Sequence, residues 1–83
     1  MENKEKLFQS FATALNIPIL QISEDLKYQS IPEWDSITHM ILISQLEDDF
    51  NISIETDDVI DMSSVLKAKE ILSKYGVPFE PNA

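Results

Sequence analysis

At 83 residues the chain has room for one core, and without cysteine it excludes disulfides, thiol catalysis and cysteine-based metal sites. Fifteen acidic residues against six lysines give a formal net charge of −9, a field that repels nucleic acid and anionic membrane surfaces and attracts basic protein patches. Hydrophobic residues make up 43%, enough for a core and too many for a disordered tail.

Met1 to Lys6 alternate in charge and show no signal peptide, and the longest strongly apolar run is Met40 to Ile43, far short of a membrane span. These readings place the protein in the cytoplasm as a soluble monomer that does not insert into membranes. The whole chain, 1–83, reads as one domain with its core over about 3–75 and a tail over 76–83.

The first helix is predicted from Asn3 to Leu15, with Leu7, Phe8, Phe11 and Leu15 on one face. Asn16 and the Ile17-Pro18 pair stop it, because a residue before proline is pushed out of the α region. From Ile17 to Trp34 a connection carries Ile17, Ile19, Leu20, Ile22, Leu26 and Ile31 through a polar background. That mixture predicts a loop packed onto the helices, with a short turn after Ser23, rather than a free linker. The second helix is predicted from Ser36 to about Asn51, with Asp35 as its cap. Ile52-Ser53-Ile54 alternates like a strand but has no partner strand, so it reads as a loop pinned by Ile52 or Ile54. Thr56 is placed to cap a short helix over Asp57 to Met62. A last helix starts near Ser63 or Ser64, turns Val65, Ala68, Leu72 and Tyr75 inward, and ends at Gly76, with Pro78 and Pro81 in a frayed tail. The fold class is therefore all-α: an up-and-down bundle of three main helices plus one short helix.

The second helix has two apolar sides. At about 100° per residue, His39, Leu42, Ile43, Leu46 and Phe50 share one buried-stripe arc. Ile37, Met40 and Ile41 fall on the far side with Ser44, Glu47 and Asp48. Exposed aliphatics are ordinary and the long loop could cover these; alternatively they form a docking strip with carboxylates to steer a partner. Because the strip begins one residue after Ser36, docking is the reading taken.

Ser36 opens this helix, where serine normally serves as a cap. Asp35, Ser36 and His39 also supply the residue types of a hydrolase triad. The geometry fails: Asp35 adjoins Ser36, so the histidine does not lie between serine and acid, and no glycine-bearing turn offers an oxyanion hole. No catalytic residue is assigned. Glu47-Asp48-Asp49 and Asp57-Asp58-Asp61 lack the spacing of a calcium loop, and no metal site is assigned.

Trp34-Asp35-Ser36-Ile37, followed by Leu42, Ile43, Leu46, Glu47 and Phe50, then Ile52, Ile54 and Asp57-Asp58, resembles the acyl carrier protein family. The resemblance runs from about Leu7 to Tyr75. It implies that Ser36 receives 4'-phosphopantetheine from coenzyme A through a separate magnesium-dependent phosphopantetheinyl transferase. The arm's thiol then carries acyl intermediates as thioesters to loading, elongating or transferring enzymes with basic docking patches. It further implies partner contacts at Asp35, Ile37, Met40, Glu47, Asp48 and Ile54; the strip adds Ile41 and the short acidic helix Asp57 and Asp58. Ile41 and Ser44 depart from carriers of primary fatty acid synthesis, and Trp34 fits a specialised pathway better. Two alternatives stand beside the acyl carrier: an aminoacyl carrier, and an unmodified interaction module of the same fold.

Overall fold

Three of the four α-helices end in the same way, and those endings set the bundle. In the computed structural model, which describes residues 3–79, the helices are α1 (Asn3–Leu15), α2 (Ser36–Phe50), α3 (Thr56–Asp61) and α4 (Val65–Lys74). After α1, α2 and α4 come Asn16, Asn51 and Gly76, at φ 59°, 55° and 92°. The next amide in each case reaches back five residues: Ile17 to Ala12 O, Ile52 to Glu47 O and Val77 to Leu72 O, all at 3.1 Å. This is the left-handed stop in which the freed carbonyls find donors and an apolar residue folds back on the helix. Ile17 and Ile52 are half-buried and Val77 is buried.

The all-α architecture expected from the sequence is the one observed, and the main helix boundaries agree within two residues. Among the described residues the only β-type pairing is an isolated bridge between Lys27 and Ser64. Leu7, Phe11 and Leu15 of α1 face Leu42, Ile43 and Leu46 of α2, with Met62, Val65, Ala68, Ile71 and Leu72 completing the core. Phe8 and Phe50 reach only its margin. Ser10 is buried as well, its hydroxyl set against the Asp49 carboxylate of α2, to which Gln45 Nε2 also donates at 3.0 Å.

The connection over 16–35 is packed through Ile17, Ile22, Leu26 and Ile31, whereas Ile19 and Leu20, expected to pack as well, are exposed. The segment is stitched to the head of α4. Val65 N donates to Leu26 O at 3.0 Å, Tyr28 N to Ser63 O at 2.9 Å and Leu66 N to Glu24 O at 3.2 Å. Lys69 Nζ closes on Glu24 at 2.8 Å, which holds that carboxyl below its ordinary range. The turn after Ser23 is present, with Leu26 N donating to Ser23 O. A 3₁₀ turn over Ile19–Gln21 was not anticipated.

Two further points depart from expectation. Thr56 does not cap α3; it is the first helical residue, preceded by extended Glu55, which makes no side-chain cap bond. The chain after Gly76 is not frayed as far as it is described. Val77 is 8% exposed, Phe79 packs against Phe50, and Pro78 O accepts from Asn3 Nδ2 at 2.7 Å. Pro81 lies outside the described residues.

Candidate functional site

The start of α2 is built by three consecutive side chains with different tasks. Trp34 is fully buried, edge-on to Phe11 at 5.3 Å and to Tyr28 at 6.0 Å between ring centroids. It anchors the loop between α1 and α2, as large aromatics do when they are buried. Asp35 is extended and caps the helix: its Oδ1 accepts from Thr38 N at 2.9 Å, while Thr38 Oγ1 turns back to Asp35 N. Those bonds from Thr38 hold the Asp35 carboxyl below its ordinary range, because they favour the charged form.

With Asp35 capping, Ser36 has no structural duty. It is the first helical residue, it is exposed, and among the described residues its hydroxyl has no hydrogen-bond partner. The Ser36 and Ile37 amides are among those a helix leaves without intrahelical carbonyls, and the helix dipole makes this end receptive to negative charge.

His39 lies one turn further on and is 9% exposed. Trp34 Nε1 donates to its Nδ1 at 3.0 Å. An indole nitrogen can only donate, so Nδ1 accepts, Nε2 carries the proton, and Nε2 donates to Val59 O at 2.9 Å. Both ring nitrogens are thus engaged away from Ser36, and the triad stays excluded on this geometry. Ser36 and His39 instead border a groove of about 330 Å³ between α2 and α3, walled by Met40, Val59, Ile60 and Met62 and rimmed by Tyr28 and Ser63.

The other residues singled out from the sequence divide into two groups. Ile37, Met40 and Ile41 are 74%, 55% and 52% exposed and form one strip, uncovered by the loop. Asp48 on α2 and Asp57 on α3 are also exposed. Glu47, by contrast, accepts from Ile54 N at 2.9 Å and fixes the loop after α2, while Ile54 packs on the core. Asp58 is 9% exposed and turned inward, accepting from Lys74 Nζ at 2.7 Å and from the Tyr75 hydroxyl. These donors hold Asp58 below its ordinary range, and the Asp58 carboxylate in turn pushes Lys74 and Tyr75 above theirs. Tyr28, Ile60 and Ser63 were not foreseen at the site; a single acidic turn gave no sign that Ile60, 77% exposed, faces the α2 terminus. Among the described residues no three His, Asp or Glu side chains converge as a metal site.

Residues 5–72 match the phosphopantetheine attachment site family. The chain belongs to that family. No curated protein matches it. Membership bears out the resemblance to acyl carrier proteins and makes the chain a non-catalytic carrier of 4'-phosphopantetheine. A carrier of this family meets a phosphopantetheinyl transferase and biosynthetic enzymes in turn. The head of α2 suits the group chemically: a free hydroxyl to esterify, next to amides that favour an anionic phosphodiester. No described helix is long and apolar enough to cross a membrane.

Proposed function

We propose that Ser36 is the attachment point and that the protein carries acyl intermediates between enzymes of a specialised cytoplasmic pathway, working as a monomer. One observation carries the reading: Asp35 takes the capping role, which leaves the Ser36 hydroxyl exposed and unpartnered at the helix head. In loading, Ser36 Oγ loses its proton to the transferase and forms the new bond to the pantetheine-side phosphorus, while the diphosphate bond of coenzyme A breaks and adenosine 3',5'-bisphosphate leaves with the bridging oxygen. When attached, the group supplies the thiol that this cysteine-free chain lacks, so that cargo can be held as a thioester. His39 takes no part as a base, since its ring is bound to Trp34 and Val59; the transferase provides that chemistry.

Partner enzymes dock on Ile37, Met40 and Ile41, with Asp48 and Asp57 steering their basic patches. Asp35 adds charge at the helix head. Glu47, Ile54 and Asp58 shape the surface from beneath, through the contacts that hold the α2–α3 loop and α3. Apolar walls at Met40, Val59 and Ile60 favour an acyl cargo over an aminoacyl one. The test is intact mass after incubation with coenzyme A, magnesium and a broad-specificity transferase. One phosphopantetheine should add to the wild type and none to Ser36→Ala; addition to the variant, or to neither protein, overturns the assignment.

A further inference from the structure

The groove beside Ser36 has a floor that its apolar walls alone would not provide. His39 spans it, receiving a hydrogen bond from Trp34 on one side and giving one to Val59 O of α3 on the other, at 3.0 and 2.9 Å. Its ring is stacked on Trp34, 22° from parallel, and lies 5.0 Å from the Tyr28 ring. The next positions on the same helix stripe, Leu42 and Leu46, are fully buried, as is Val65 opposite. To pass from the groove into the bundle, a chain would have to break the bond to Val59. That would strand the imidazole N–H, while Val59 O would keep only its longer bond from Met62 N at 3.4 Å; the cost is comparable to a lost buried hydrogen bond. It would also have to displace fully buried core side chains, and protein interiors leave few voids to receive them.

Resting on Ser36 as the attachment point, we propose that His39 bolts α2 to α3 and keeps the cargo outside the bundle, so that this carrier serves short acyl groups. The first carbons of the cargo lie on the shelf of Met40, Val59 and Ile60, and the rest stays in water. His39 acts as a positioning residue: it touches no reacting atom, and it works by holding α3 against α2.

The transferase can install acyl-phosphopantetheine directly from acetyl-, butyryl-, octanoyl- and dodecanoyl-coenzyme A, with each product verified by intact mass. Thermal midpoints and ¹⁵N amide shifts are then compared along the series. For the wild type the midpoint should not rise with chain length. Shift changes should stay at Tyr28, Met40, Val59, Ile60 and Ser63, leaving Leu46, Val65 and Leu72 unmoved. A chain that buried four further methylenes would instead raise the midpoint by upwards of about 10 °C; such a climb, with shifts in the core amides, overturns the proposal. His39→Leu removes the bolt and should convert the flat series into a rising one. His39→Gln, whose amide can accept from Trp34 and donate to Val59, should restore flatness. A flat series in His39→Leu takes the role away from His39, and if that variant does not fold, the wild-type and His39→Gln series decide. Absence of any mass addition is a different failure: it removes the Ser36 assignment, and this inference with it.

Discussion

On one side of α2, His39, Leu42, Ile43 and Leu46 are at most 9% exposed; on the other, Ile37, Met40 and Ile41 keep more than half of their surface in water. Both sides are rich in large aliphatic side chains, and the inner one even includes a histidine, so hydrophobicity does not distinguish them. What differs is what lies opposite. The inner side meets α1 and the anchored Trp34, whereas the outer side stays largely in water, with only Met40 bordering the groove shared with α3. Apolar residues on the inner side hold the bundle together, whereas those on the outer side are available for use by something else. The same division runs through the carboxylates: Glu47 and Asp58 hold loops and helices, Asp48 and Asp57 face solvent.

The largest effect should come from the inner side. Trp34→Ala removes a fully buried ring and leaves His39 Nδ1 without its donor, so urea denaturation should show a loss of about 3–5 kcal/mol. Leu42→Ala follows at about 2–5 kcal/mol. Against it, Ile41→Ala should change stability by less than about 0.5 kcal/mol, the range of surface substitutions. A cost for Ile41→Ala near that of Leu42→Ala would erase the contrast between the sides. Ile41→Glu sharpens it: the helical circular dichroism should persist while acceptance by partner enzymes changes, and a large loss of helix would return Ile41 to the core.

Acid probes the inward carboxylates. The Asp58 carboxyl is depressed by Lys74 and Tyr75, so its contribution is present above the unfolded value near pH 4 and is lost as pH falls through the lower folded value. Lys74 and Tyr75 are raised, so theirs is present below about pH 10 and lost as pH climbs beyond. The α3 amides should therefore lose exchange protection first at both extremes, and Asp58→Asn should abolish the acid arm. The smallest effect belongs to the outward charges. Transferase loading should slow modestly as salt rises, and neutralising Asp48 and Asp57 should flatten that response.

Much of this was legible because the boundaries are written locally. Pro18, Asp35, Asn51, Ser64 and Gly76 each act within a few residues of where they stand, and the predicted helices match accordingly. What escaped notice depends on distant neighbours. Glu55 precedes α3 without a side-chain cap, its amide held by the Tyr75 hydroxyl 20 residues on. His39 reaches Val59 across the same separation, and Val77 finds its place only because a hollow awaits it. Serine type and position marked Ser36, but only the observed Asp35–Thr38 bond shows that its hydroxyl is spare.

The three left-handed stops have a consequence in time as well as in space. Asn16, Asn51 and Gly76 fix where α1, α2 and α4 end using hydrogen bonds that span only five residues, so these ends are specified by local sequence and not by which helix they meet. What remains for the folding search is largely the docking of locally defined helices, and helical bundles rich in local contacts cross their barrier in microseconds to milliseconds. Temperature-jump relaxation should find one such fast phase, and Asn51→Val, which forces a branched side chain into the left-handed region, should slow it.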